Sequence, residues 1–185
     1  MVFFNWVPKF TYAVTMKLFL ALCFLICISF SSKAQNEATA VTTYYLIRHA
    51  EKNRNDSSNK DPELNASGQK RAQLWRNYFK NIKLNAIYST NYKRTLQTAA
   101  PTAEAKDLII QNYDPNELYS EAFQKSTRGQ SILIVGHSNT TPAFANAVLG
   151  TSTYPDIEDH VNSNLYILTI SEGKIFQELI TVESP

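Results

Sequence analysis

Three side chains in this sequence stand out for the chemistry they could do: Arg48, His49 and, eighty-eight positions later, His137. Each histidine closes an apolar, β-prone run, Tyr44-Tyr45-Leu46-Ile47 in one case and Ile132-Leu133-Ile134-Val135-Gly136 in the other. A strand that ends in a histidine places it on the rim of a sheet, where open α/β folds bind ligands. Neutral imidazole can attack phosphorus, and an adjacent guanidinium can fork onto oxygens of the same phosphoryl group. Between the two runs, the strand Ala86–Ser89 leads into a helix, which puts Ser89 at a strand end and Arg94 in the helix's first turns, near its positive pole. One Arg-His pair alone would read as a polar strand cap. Two histidines and two arginines converging from three strand ends read as a phosphoryl site.

The elements that must position these groups follow from pattern. Thr43–Ile47 reads as the first strand, and Lys52–Pro62, rich in Asn, Asp, Ser and Lys, as a loop walling the site. Leu64–Phe79 holds a helix with Ala72, Trp75 and Phe79 on one buried face. Ala86–Ser89 is a short strand, Asn91–Ala100 a helix interrupted or restarted at Pro101, and Leu108–Ile110 a further strand. Asn116–Ser126 reads as a helix with Leu118, Ala122 and Phe123 as its stripe. Ser131–Val135 is apolar throughout, the pattern of a strand buried on both faces. Thr141–Leu149 is a helix with Pro142 in its first turn and Gly150 as its stop. Leu165–Ile170 and Lys174–Thr181 flank a hairpin turn at Ser171-Glu172-Gly173. Strands alternating with helices predict a three-layer α/β/α sandwich on a mostly parallel sheet.

These residues resemble the histidine phosphatase superfamily, which includes phosphoglycerate mutases and phosphohistidine phosphatases. Its Arg-His-Gly motif corresponds to Arg48-His49-Ala50, with Glu51 following. Its Ser-x-x-x-x-Arg-[Ala/Thr]-x-Gln-Thr-Ala motif corresponds to Ser89 through Ala99, and its second histidine to His137 in Gly136-His137-Ser138. Ala50 stands where the family has glycine. The resemblance implies a phosphoglycerate mutase-like fold and His49 as the attacking group, with Arg48, Arg94 and His137 as the phosphate pocket. It implies no cofactor and no metal. Family members often place a further phosphate contact where Arg54 and Asn55 fall, and Ser89 either orients His49, touches phosphate or simply turns the chain. The general acid of relatives follows the third strand, which nominates Asp114 or Glu117; either could instead cap a helix, and a phosphohistidine substrate needs no acid, because protonated imidazole leaves readily. The chain's size resembles the short phosphohistidine-phosphatase branch, without room for the insertions that close over a sugar acid in the mutases.

Residues 18–30 form an apolar run after Lys17, followed by Ser32-Lys33-Ala34, which predicts a signal peptide cleaved after Ala34 (residues 1–34), its start at Met1 or Met16, with an uncleaved anchor as the alternative. Residues 35–42 read as a flexible lead-in and residues 43–185 as one phosphatase domain. The expected location is exported, periplasmic or secreted. Cys23 and Cys27 fall in the leader, so the mature domain has no thiol chemistry. Lys9, Lys17 and Lys33 leave with it, taking the eighteen basic residues to fifteen against sixteen acidic. The precursor's basic balance therefore argues for neither nucleic acid nor stable membrane insertion, and the expected partner is a phosphorylated small molecule or phosphoprotein. Three other readings compete. One is a phosphate-binding module of the same fold without turnover. Another is a serine hydrolase with Ser138 in an elbow-like Gly136-His137-Ser138 and Asp156 and His160 downstream. The third, a metal hydrolase on His49, His137 and His160, lacks ligand spacing.

Overall fold

The computed structural model describes residues 40–183. The expected leader and residues 35–39 of the lead-in lie outside these residues, and Thr42, expected to end the lead-in, instead opens the first strand. The described elements run β1 (Thr42–Arg48), α1 (Ala66–Tyr78), a 3₁₀ turn (Phe79–Asn81), β2 (Ala86–Ser89), α2 (Lys93–Lys106), β3 (Ile110–Asn112), α3 (Glu121–Thr127), β4 (Ser131–Gly136), α4 (Thr140–Leu149), β5 (Asn164–Ser171) and β6 (Lys174–Thr181). They form one six-stranded sheet in the order β3-β2-β4-β1-β5-β6. Strands β3, β2, β4 and β1 are mutually parallel, and β5 alone runs antiparallel to its neighbours on both sides.

Alternation along the strands explains the layers. Tyr44, Leu46, Ile132 and Ile134 point to one face and are covered by Phe144, Ala145 and Val148 of α4, with Phe123 of α3 against them. Ile47, Leu133 and Val135 point to the other and are covered by Trp75 of α1, Phe79 and Ala99 and Ala103 of α2. With both faces of β4 under helices, its apolar run has no polar position to alternate with. The predicted α/β/α sandwich is the fold observed.

Four boundaries differ from the sequence reading, each for a local reason. Helix α2 does not break at Pro101: Thr95, Thr98 and Ala99 before the proline and Thr102 and Ala103 after it share one buried face, which holds the helix continuous. It stops instead at Asp107, in the left-handed region at φ 52°, and this carries the third strand on to Ile110–Asn112, leaving Ile109 exposed. The helix expected from Asn116 starts only at Glu121. Tyr119 is left-handed (φ 50°), and Ser120 caps the helix by accepting from the Phe123 amide at 3.3 Å. The first helix is shorter than Leu64–Phe79 because Asn65 caps it, Oδ1 accepting from Gly68 N at 2.8 Å. The hairpin is as expected: Glu172 and Gly173, both at positive φ, form the two-residue turn whose twist suits antiparallel strands.

Candidate active site

The register of the sheet brings the predicted residues together. Arg48 pairs with Gly136, so His49 and His137 leave adjacent parallel strands at the same level, and His49 N donates to Gly136 O at 2.9 Å. Strand β2 lies on the other side of β4, and Ser89 pairs with Val135, which delivers Thr90 beside His137. Arg94 enters from the first turn of α2. The two imidazole rings stand 5.5 Å apart, tilted by 68°.

Hydrogen bonds fix which ring nitrogen carries each proton. His49 Nδ1 is 2.7 Å from Ala50 O, and a carbonyl only accepts, so Nδ1 holds the proton and Nε2 presents a lone pair. Around His137 the direction comes from a relay of hydroxyls. Thr95 donates to the Thr90 and Tyr92 carbonyls, and Thr90 donates to Thr95 Oγ1 at 3.1 Å. Thr90 Oγ1 therefore accepts from His137 Nε2, 2.9 Å away, and His137 Nδ1 faces Arg94 Nη2 at 3.4 Å. Burial pulls the His49 ring down to about 3, against the opposing Ala50 bond, with His137, Arg48 and Arg94 adding to the fall. Burial, then Arg94, Arg48 and Lys52, pulls His137 down to about 4. Both rings are neutral near pH 7.

Arg48, 3% exposed, has a divided role. Its Nη1 holds the carbonyls of Glu158, Asp159 and Val161 at 2.8, 3.1 and 2.9 Å, and Nη2 meets Asp159 Oδ1 at 3.0 Å. Its Nε is buried without a hydrogen-bond partner, as are Nε and Nη1 of Arg94, although that Nη1 faces Asp61 in an ion pair. Arg94 is placed by the Tyr92 ring, 4.4 Å below its guanidinium, and by Asp61 at 3.6 Å. The backbone of His49 is pinned as well: Asn162 donates to its carbonyl at 2.8 Å, and Thr98 accepts from Ala50 N at 2.9 Å.

The remaining predicted residues separate. Ser89 is fully buried and donates to Thr90 O at 2.9 Å, as a turn residue does; it makes no bond to His49. Arg54 forks onto Asp159 with both contacts at 2.9 Å, and Asn55 is exposed in a turn closed on Asn53. Asp114 accepts from Asn116 in an exposed turn beyond β3, and Glu117 is exposed on the same turn; neither bonds to the histidines or arginines of the site. His160 pairs with Glu158 at 3.6 Å rather than with Ser138, so the three groups of a serine triad are not joined. Among the described residues no three His, Cys, Asp or Glu side chains cluster as metal ligands.

The model of the histidine phosphatase superfamily (branch 1) matches residues 44–116. Over those residues the chain is similar to the histidine phosphatase superfamily. His137 lies beyond the matched residues, and the fold returns it to them. Among solved structures, a mycobacterial glucosyl-3-phosphoglycerate phosphatase is 13% identical with a TM-score of 0.59, covering 76% of this chain and 98% of that one. A phosphoglycerate mutase from Bacillus anthracis is 14% identical with a TM-score of 0.61, over 78% and 95%. The protein histidine phosphatase SixA, complexed with tungstate, is 14% identical with a TM-score of 0.60, over 75% and 96%. No curated protein matches the chain by sequence.

Sequence reasoning passed over Thr90, Tyr92, Thr98, Asp159 and Asn162. Thr90, Tyr92 and Thr98 lie inside the Ser89–Ala99 stretch, so its hydroxyls were a usable signal. Asp159 and Asn162 sit in a loop without pattern, and only the fold brings them to His49.

Proposed function

We propose that this protein hydrolyses phosphomonoesters or phosphoramidates through a phosphohistidine on His49. The observation that carries the reading is the His49 ring, neutral, with Nδ1–H held on Ala50 O and Nε2 free to attack. Nε2 forms a bond to phosphorus while the bond to the leaving oxygen or nitrogen breaks, and the leaving group departs carrying its own proton or takes one from solvent water. Water then attacks the phosphohistidine, returning neutral His49 and inorganic phosphate. Donors the protein leaves without a hydrogen bond, Arg48 Nε and Arg94 Nε and Nη1, suit the equatorial oxygens where charge accumulates. Arriving dianionic phosphoryl favours protonation of His137 Nδ1, which then donates to an oxygen too. Neither Asp114 nor Glu117 is placed as the acid by any bond, which favours substrates whose leaving group needs little protonation.

The test is His49→Ala with p-nitrophenyl phosphate: turnover should vanish in a folded protein, and rapid trapping of the wild type should find phosphate on His49. Phosphate on Ser138 would overturn the mechanism. The same proposal includes export, on the strength of the apolar run at 18–30 and Ser32-Lys33-Ala34. The mass of protein recovered from its native compartment should correspond to a chain beginning at Gln35.

A further inference from the structure

Past the strand end that carries His49 lies a cleft of about 420 Å³ lined by Glu51, Lys52, Arg54, Asn65, Asp159, His160 and Asn162, the last of which holds the His49 carbonyl. It is where the part of a substrate beyond the phosphoryl group would sit. Its charges are arranged unevenly. Lys52 lines the same cleft and makes no ion pair among the described residues; the charges of Arg94, Arg54, Asp159 and Arg48 all act on it, which sets it between the phosphoryl side and the outer pair. Arg54, farther out, is fully engaged: Nη1 and Nη2 fork onto the two oxygens of Asp159, the geometry a guanidinium offers to any small anion. Glu51 is engaged by Arg71 at 2.8 Å, and His160 faces Glu158. Apart from Lys52, the outer cleft therefore presents polar groups that already hold protein partners, the Asn65 and Asn162 amides and closed ion pairs.

Asp159 is not a loose surface acid. Arg48 Nη1 holds the main chain at 158, 159 and 161, so the loop beneath the carboxylate is anchored, although the carboxylate itself is 72% exposed. We propose that Asp159 is a built-in anion that sets leaving-group specificity, closing Arg54 to a second negative charge so that the cleft takes a phosphoryl group on a neutral, polar, hydrogen-bonding leaving group. This rests on the phosphatase reading above. A substrate with a second anion next to its phosphate meets Asp159 instead of Arg54, and must either displace an anchored carboxylate or sit beside it. An exposed pair is weak, so the discrimination is about fivefold rather than absolute.

Glycerol 3-phosphate and 3-phosphoglycerate test this, since they share a carbon chain and differ in a hydroxymethyl against a carboxylate. Each is measured as a competitive inhibitor of p-nitrophenyl phosphate turnover, so neither needs to be a good substrate. Wild-type protein should bind glycerol 3-phosphate more tightly. Asp159→Asn, the same shape without charge, should shift the ratio of inhibition constants toward 3-phosphoglycerate by about fivefold, and adding Arg54→Gln should cancel the shift. A wild-type preference for 3-phosphoglycerate, or equal weakening of both compounds in Asp159→Asn, would overturn the proposal and leave Asp159 as a loop anchor. If p-nitrophenyl phosphate is not turned over, the phosphatase reading has failed; calorimetric titration of the same pair then still reads the selectivity, with the same two outcomes.

Discussion

Thr90→Val tests whether the hydroxyl relay governs His137. Valine keeps the shape of threonine in a position with no exposure, but removes the oxygen that accepts from His137 Nε2 and the proton given to Thr95. A ring donor beside an apolar group costs about 1–3 kcal/mol, and the neutral ring can escape part of this by moving its proton to Nδ1. That escape points a proton at Arg94 Nη2, 3.4 Å away, and disturbs the nitrogen that should meet phosphate. Taking about 2 kcal/mol of this in the transition state gives roughly a thirtyfold fall in kcat/KM. Stability should fall less, by about 1 kcal/mol, or about 3 °C in Tm for a domain of this size. Steady-state kinetics with p-nitrophenyl phosphate and a thermal melt read both quantities. Thr90→Ser, which restores the oxygen, should recover most of the activity. Wild-type kcat/KM in Thr90→Val, or a serine variant no better than the valine, would refute the relay.

Other expected outcomes follow from the same geometry. The imidazole signals of His49 and His137 should show almost no titration between pH 8 and pH 5 by NMR, since their folded values are about 3 and about 4. Because the unfolded chain takes up these protons near the ordinary value of 6.5, stability should decline as pH falls from there toward 4, and decline less steeply in His49→Ala. Asp114→Asn and Glu117→Gln should each reduce turnover of alkyl phosphates far less than the ~10²-fold or more that loss of a general acid brings; a drop of that size in either would identify the acid. Vanadate should inhibit and chelators should not; activity lost in EDTA and restored by zinc would refute the metal-free mechanism. Gly68→Ala should lower activity, because an added Cβ would collide with the Glu51 carbonyl, two residues from the nucleophile, and the backbone there must shift.

What the sequence made legible was local. An apolar run ending in histidine states its own strand and rim, and β1, β2 and β4 came out within a residue or two of their predicted bounds. The helix bounds were harder where a single backbone conformation decided them: Tyr119 and Asp107 adopt positive φ without being glycine, and composition gives no warning of that. Pro101 misled for the opposite reason, since burial of the flanking threonines and alanines outweighs the lost hydrogen bond. The part of the site that pattern could not supply is the loop at 158–162. Its residues reach Arg48 and His49 across more than a hundred positions of chain, and only the antiparallel return through β5 brings them there.

The loop after His49 is tied at its base, and tied again where Arg54 meets Asp159 and where Asp61 accepts from Lys93 N. Asn65 N meets Glu51 O, Lys52 bridges to Leu64, Asn53 N meets Glu63 O, and Gln97 holds Leu64 N. Residues 55–60 are thus a segment whose two ends are already joined, inside the contacts of Arg54 and Asp61. Lengthening such a segment costs only about 0.6 kcal/mol per doubling, and the clamp keeps that change from reaching the nucleophile. Insertions at this point, whether arising in evolution or by design, can therefore rebuild one wall of the cleft around a new leaving group while the phosphoryl chemistry is inherited unaltered.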